Sequence, residues 1–233
     1  MSTLYIVASP IGNLRDISLR ALDVLKSVSI VACEDTRRTL KLLTSFGIRA
    51  RLVSCRAANE KTAARKLVDE LNNGLDIAYL SDAGSPGLSD PGAVLARQAA
   101  AGRHTVVPVP GPSAFASLVS VAGACDKTVV FEGFLSPKSG KRRSRLKELL
   151  DGGAAFVLYE SPFRILKLLA DLAEFENERY VCVGREMTKI HEEYLRGSTL
   201  DVLSELEKRQ EQKGEFSVFV SGRNVVASTV SYL

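Results

Sequence analysis

Apolar positions along this chain come in short continuous runs separated by longer stretches where they recur every three or four residues, a pattern that predicts strands alternating with amphipathic helices. Thr3 to Ala8 and Ser29 to Cys33 are nearly unbroken apolar runs, as expected of strands buried on both faces. Between them Ser18 is placed to cap a helix whose inward stripe is Leu19, Ala21, Leu22 and Leu25. A helix through Leu40, Leu42, Leu43 and Phe46 stops at Gly47, and an amphipathic helix from Asn59 to Asn72 is closed by Gly74 after a short strand at Leu52 and Val53. Ile77 to Leu80 and Thr105 to Val107 are further strands, with helices over 93–101 and from Ser113 to Val121. Alternation of this kind over residues 3–121 predicts a mostly parallel sheet covered by helices.

Beyond Gly123 the pattern changes. Strands are predicted at Thr128 to Phe131, Ala155 to Tyr159, Tyr180 to Val183 and Phe216 to Val220, with Glu193 to Leu195 pairing beside them and a helix over Thr199 to Arg209. Strands here are more often consecutive, which predicts a mixed sheet. A chain of 233 residues has room for two small domains. The expectation is therefore an α/β protein of two α/β domains, with the first at 1–122 and the second at 123–233.

The stretch that organises the rest is Ser81 to Gly92, SDAGSPGLSDPG, at the exit of the strand Ile77 to Leu80. Three Gly, two Pro, two Asp and three Ser in twelve positions leave little to pack in a core and much backbone to expose. Gly84, Gly87 and Gly92 permit positive φ or close backbone approach, while Pro86 and Pro91 restrict the loop. Asp82 and Asp90 can cap local N–H groups or accept hydrogen bonds from a ligand. A plain tight turn is the bland alternative. Strand exits of α/β sheets are where ligands bind.

Composition narrows the chemistry. The chain is 45% apolar and 25% charged, its net charge is +4, and its longest apolar runs are too short to span a membrane. Met1 to Ala8 leads directly into a strand and is too brief for a secretory signal, so a cytoplasmic location is expected. Cys33, Cys55, Cys125 and Cys182 are scattered, without a C-x-x-C pair, and read as reduced and mostly buried. With only His104 and His191, both read as structural, no metal site is expected. The exit of the first strand, Ala8-Ser9-Pro10-Ile11-Gly12-Asn13, is not G-x-G-x-x-G, and neither a P-loop nor a G-x-S-x-G elbow is present.

What remains is a set of Pro/Gly loops, with Glu34, Asp35 and Arg37 at the end of the second strand and Pro108 to Ala114 at the end of another. Such loops suit a neutral or cationic small molecule with an adenosine-like part. S-adenosylmethionine meets those demands, as do other nucleosides. Glu34 and Asp35 are candidate proton acceptors and Arg37 a phosphate or carboxylate anchor, against the alternative of a structural ion-pair and capping cluster. Lys138, Lys141, Arg142, Arg143, Arg145 and Lys147 place six cations within ten residues of a polar segment read as a loop. That is enough to contact several phosphates of a nucleic acid, although a solvated surface explains it as well. Phe131 and Phe134 read as core or cleft wall.

The segments SPIGNLRDISLRAL (9–22), EDTRRT (34–39), SDAGSPGLSDPG (81–92), PVPGPSA (108–114), EGFL (132–135), YESPFR (159–164) and REMTK (185–189) together resemble the bacterial small-subunit (16S) ribosomal RNA (cytidine-2′-O)-methyltransferases of the tetrapyrrole methylase superfamily. The likeness covers almost the whole chain, in order. It implies two α/β domains, the first with a mostly parallel sheet and the second with a mixed one, S-adenosylmethionine in the cleft between them, a homodimer, and ribosomal RNA or the assembled small subunit as substrate. By position it assigns cofactor contacts to Pro10, Ile11, Gly12, Gly84, Ser85, Pro86, Leu88, Ser113 and Ala114, with Tyr159 and Met187 from the second domain. Ser85 stands where the family commonly has Thr, Phe163 where it has His, and a further C-terminal helical extension is expected to be missing after Leu233. Two other readings share the cofactor: a methyltransferase acting on a tetrapyrrole or a modified protein residue, and a non-catalytic RNA- or ribosome-binding module.

Overall fold

The computed structural model describes residues 1–87, 91–124, 127–223 and 225. It divides into two units by internal contacts, Met1–Ser113 and Ala114–Leu233. In the first, β1 (Thr3–Val7), β2 (Ile30–Cys33), β3 (Arg51–Ser54), β4 (Ile77–Leu80) and β5 (Thr105–Val109) form one sheet in the order β3-β2-β4-β1-β5, every neighbouring pair parallel. The sequences IVAC of β2 and IAYL of β4 are buried at every position because helices cover both faces. Alternate residues face opposite sides. Leu4, Ile30, Ala32, Ile77 and Tyr79 pack with α3 (Glu60–Asn72) and α4 (Ala93–Ala101), while Val7, Val31, Ala78 and Leu80 pack with α1 (Leu19–Ser27) and α2 (Thr36–Ser45). Ser18 caps α1 as expected, accepting from the Ala21 N–H at 3.1 Å.

The second unit holds β6 (Val129–Phe134), β7 (Ala155–Glu160), β8 (Tyr180–Arg185), β9 (Glu193–Ser198) and β10 (Phe216–Val220) in the order β6-β7-β10-β8-β9. β6 and β7 are parallel, and β10 enters antiparallel between β7 and β8, so the sheet is mixed. The helix α5 (Ala114–Ala122), which the sequence reading puts in the first domain, buries Leu118 and Ala122 against Val157, Tyr180, Cys182 and Phe219 of this second sheet. The division therefore falls at Ser113/Ala114.

Two helices occupy segments in which none was predicted, and they make the strands less consecutive than expected. α6 (Ser139–Asp151) replaces the expected basic loop, and α7 (Ile165–Phe175) lies between β7 and β8. With α8 (Thr199–Glu207) they cover the face opposite α5, through Leu146, Leu149 and Leu150 of α6, Ile165, Leu168, Leu169 and Leu172 of α7, and Val202, Leu203 and Leu206 of α8. In α7 that stripe repeats at three- and four-residue intervals, the helical period. In α6 it is hidden among cations because one of them, Arg142, is itself part of the buried face.

Arg142 is 6% exposed and donates through Nε to Asp171 Oδ2 at 2.7 Å, while Arg143 Nη1 donates to Asp171 Oδ1 at 2.9 Å. Arg143 also pairs with Glu174 and lies over the Phe175 ring at 4.8 Å. Asp171 thus joins α6 to α7 and neutralises a cation removed from water. Asp171→Ala would strand that cation, so unfolding free energy from urea denaturation should fall by about 3–5 kcal/mol.

Candidate active site

In the first unit α1 and α4 leave the neighbouring strands β1 and β4 toward opposite faces of the sheet, which opens a crevice at their carboxyl ends. The loops there are tied together by backbone. Ser9 N–H donates to Gly84 O at 2.9 Å and Gly84 N–H returns a bond to Ser9 O at 3.0 Å. Gly84 makes this exchange at φ +83°, a conformation that side chains rarely adopt. Ser9 Oγ donates to Ser81 O at 3.0 Å, and Ser81 Oγ to Gly84 O at 3.1 Å. The exit of β5 joins through Ala8 N–H to Val109 O at 3.1 Å and Ser85 Oγ to Pro112 O at 3.2 Å. Pro10, Ile11, Gly12, Gly84, Ser85, Pro86 and Ser113 are therefore gathered at one sheet edge. Ala114 begins α5 of the second unit, and Leu88 lies outside the described residues, as does Asp90.

Carboxylates occupy the neighbouring corner. Asp82 Oδ1 accepts the Asp35 N–H at 3.0 Å, its Oδ2 is 3.3 Å from Arg38 Nη1, and its own N–H donates to Glu34 Oε1 at 3.1 Å. The N–H groups at the β2 and β4 exits are thus met by each other's acids. Burial, and secondarily the charge of Asp82, pushes the Glu34 carboxyl above the ordinary glutamate range. Asp35 is shifted the other way. It is the N-cap of α2, its Oδ1 accepts from Arg37 N–H at 2.8 Å, and that hydrogen bond holds its pKa below the ordinary range. Of the two candidate proton acceptors, Glu34 is the more basic, and Asp35 has a structural occupation. Arg37 is exposed on the first turn of α2.

Beside this corner lies an open pocket of about 280 Å³ lined by Ser9, Pro10, Gly12 and Leu14, by Arg38, Thr39, Lys41, Leu42 and Ser45 of α2, and by Ser81 and Asp82. Arg38 and Lys41 were not singled out in the sequence. Their signal was their spacing, since residues three apart on a helix share a face. The three described thiols are buried and poor nucleophiles: burial raises the pKa of Cys33 and pushes those of Cys55 and Cys182 up to about 11, and Cys125 lies outside the described residues. Among the described residues no cluster of three or more His, Cys, Asp or Glu could hold a metal ion. His104 Nε2 sits 2.9 Å from Asn72 Oδ1.

In the second unit Tyr159 and Met187 belong to one apolar cluster. Met187 is 7% exposed and packs over Gly184, where a Cβ would lie 2.6 Å from its sulfur. Its neighbours Glu186 and Thr188 both have positive φ, +51° and +66°. Such strain persists only where surroundings enforce it. Glu186 Oε1 accepts from Lys189 Nζ at 2.7 Å and from Glu215 N–H at 2.9 Å.

The basic segment needs correction. Arg142 is buried on Asp171, Arg143 is engaged by Asp171 and Glu174, and Arg145 donates to Glu132 at 2.8 and 2.9 Å and to Glu148 at 2.9 Å. Three of the expected phosphate anchors are thus neutralised within the protein. Lys138, Lys141 and Lys147 remain exposed.

The sequence profile of the Tetrapyrrole (Corrin/Porphyrin) Methylases matches residues 3–202. A protein of Borrelia garinii subsp. bavariensis named ribosomal RNA small subunit methyltransferase I is 48% identical over 219 residues, covering 94% of this chain and 98% of its own. One of the same name from Thermotoga maritima is 41% identical, covering 96% of this chain and 100% of its own. Among solved structures, the cobalamin biosynthetic enzyme cobalt precorrin-4 methyltransferase superimposes with a TM-score of 0.67 at 15% identity, covering 94% of each chain. Uroporphyrin III C-methyltransferase from Thermus thermophilus gives 0.66 at 14%, covering 94% and 97%. At such identities the structural likeness concerns the fold.

The end of the central loop is held as rigidly as its start. Gly92, at φ +122°, donates to Glu60 Oε1 at 2.7 Å, and a Cβ there would lie 2.6 Å from the fully buried ring of Tyr79. Gly92→Ala combines a disfavoured φ with overpacking. It should lower stability by about 2–5 kcal/mol, read from the urea midpoint.

Proposed function

The chain belongs to the tetrapyrrole methylase family, and on that premise we propose that it transfers a methyl group from S-adenosylmethionine to the 2′-hydroxyl of a cytidine in small-subunit ribosomal RNA. The observation that carries this reading is identity of 41–48% over nearly the full length of relatives named as small-subunit ribosomal RNA methyltransferases. The two tetrapyrrole enzymes share the fold at 14–15% identity, too low to carry a substrate across.

The residues at the first sheet's edge suit the donor. Gly12, Gly87 and Gly111 are exposed, and a Cβ on Gly87 would meet no atom within 4 Å, so backbone groups there are open to a nucleoside. Pro10, Ile11, Gly84, Ser85, Pro86 and Ser113 complete that lining, Ala114, Tyr159 and Met187 are the proposed contacts of the second unit, and Leu88 is retained from the sequence. The carboxylates of Glu34, Asp35 and Asp82 complement a positive charge. When bound, S-adenosylmethionine supplies a methyl group on a sulfonium, which an incoming oxygen displaces in line: the new C–O bond forms as the C–S bond breaks, and neutral S-adenosylhomocysteine leaves.

The chain's own work is alignment and proton removal. Loops locked to one another by Ser9, Gly84 and Pro112 hold reactants without rearranging, which is the condition under which alignment contributes most. Glu34 accepts the hydroxyl proton, since the positioned base nearest the working pH is the most effective. Asp35 keeps α2 in place, and Arg37, with Arg38 and Lys41 beside the pocket, faces phosphate. Lys138 and Lys141 add charge attraction to the polymer. The protein works as a homodimer in the cytoplasm.

Tritiated methyl from S-adenosylmethionine should appear in ribose of small-subunit RNA and not in a porphyrinogen ring; label confined to the ring would sink the reading. Glu34→Gln should lower kcat by about 10²–10⁴-fold with donor affinity preserved in calorimetry. Asn caps a helix as Asp does, so Asp35→Asn should retain folding and most turnover, and a loss equal to that of Glu34→Gln would reverse the assignment. Only ionised Glu34 accepts a proton, so kcat should fall as pH drops through its raised pKa, and the glutamine variant should lack that limb.

A further inference from the structure

Phe163 leaves 87% of its surface to solvent, at the tip of the turn after β7. The turn beneath it is stiff. Glu160, its side chain fully buried, accepts from Ser161 N–H at 2.7 Å and from Arg164 Nε and Nη2 at 2.7 and 2.6 Å. Arg164 and Ile165 N–H groups both donate to Ser161 O at 3.1 Å. A turn anchored by a buried ion pair cannot fold back to hide a ring, so the apolar surface of Phe163 forgoes the burial that would otherwise stabilise it. A second ring lies at the same edge, because β6 and β7 are parallel. Phe134, at the end of β6, is 58% exposed and paired in register with Tyr159, its centroid 5.7 Å away in an edge-to-face arrangement. One side of that ring is propped by a partner and another faces water. Lys138 and Lys141 lie at the N-terminal end of α6, the next element after β6, are exposed, and join no ion pair among the described residues.

We propose that this edge of the second unit binds single-stranded RNA, with Phe163 and Phe134 stacking on unpaired bases and Lys138 and Lys141 holding the phosphates between them. Flat open rings beside unpaired cations are the combination by which single strands are held, stacking being tolerant of sequence and the cations supplying affinity. Charge decides against a second copy of this chain as the occupant. The exposed Phe134 is followed in the chain by the exposed Lys138 and Lys141, and the protein itself carries a net charge of +4, which a polyanion complements. The inference rests on the methyl-transfer reading and names how its substrate is gripped.

The chain has no Trp, so Phe163→Trp is a lone fluorescent reporter that keeps a ring at the site. Its emission should be quenched by a short oligocytidylate and not by duplex RNA of equal length. Phe163→Ala should raise KM for the small ribosomal subunit by about 5- to 150-fold, the range expected for one lost base stack, with donor affinity unaltered, and Phe163→Tyr should restore it. The inference is overturned if the tryptophan stays unquenched at oligonucleotide concentrations that bind in filter retention, or if KM is unchanged in the alanine variant. Emission that follows protein concentration and ignores RNA would assign the ring to a contact between copies and overturn it equally. Failure of the parent protein to label any RNA would instead sink the methyl-transfer reading, while quenching by oligocytidylate would leave the RNA edge standing.

Discussion

The two backbone hydrogen bonds exchanged between Ser9 and Gly84 are the constraint on which the first sheet's functional edge depends. Strands β1 and β4 are neighbours in the sheet, but their chains leave toward opposite faces, and without a tie their exits would diverge. The exchange needs a residue at φ +83° on the β4 side, a backbone conformation that glycine adopts without strain. The hydroxyls of Ser9, Ser81 and Ser85 add bonds to the carbonyls of Ser81, Gly84 and Pro112, which tie the described start of the loop to the exits of β1 and β5.

Environment separates the two acids at the end of β2. Glu34 is half-buried next to Asp82, and loss of hydration favours its protonated form; Asp35 sits at a helix start, where backbone N–H groups favour its charged form. Adjacent carboxyls on one strand exit are thereby shifted in opposite directions, and Asp35 serves as the cap of α2. The same economy of charge governs the second unit. All three arginines of α6 are tied to carboxylates, which leaves Lys138, Lys141 and Lys147 as the exposed cations of the segment that join no ion pair among the described residues.

Amphipathic periodicity and strand runs were enough to read the first sheet, because a parallel sheet covered on both faces has apolar strands that stand out from every neighbour. Ser81 to Gly92 declared itself through composition alone, since Gly, Pro, Asp and Ser in such density have no use in a core. The second unit was less legible. In α6 a buried Arg142 stands where a helical stripe would show an apolar residue, so the segment reads as a polar loop. In α7 the stripe of Ile165, Leu168, Leu169 and Leu172 is regular but follows at once on a Pro-containing turn, which obscures the start of the helix.

Sequence by itself determined which segments are strands, that the first sheet is parallel and the second mixed, which loops lie at strand exits, and the resemblance to the methyltransferase family. Tertiary structure alone decided how charge is distributed among those segments. The acid that shares a backbone hydrogen bond with Glu34 and the acid that engages Arg143 stand 48 and 28 positions away, as Asp82 and Asp171. Electrostatic energy follows distance and burial in space, and neither quantity is written in the order of residues.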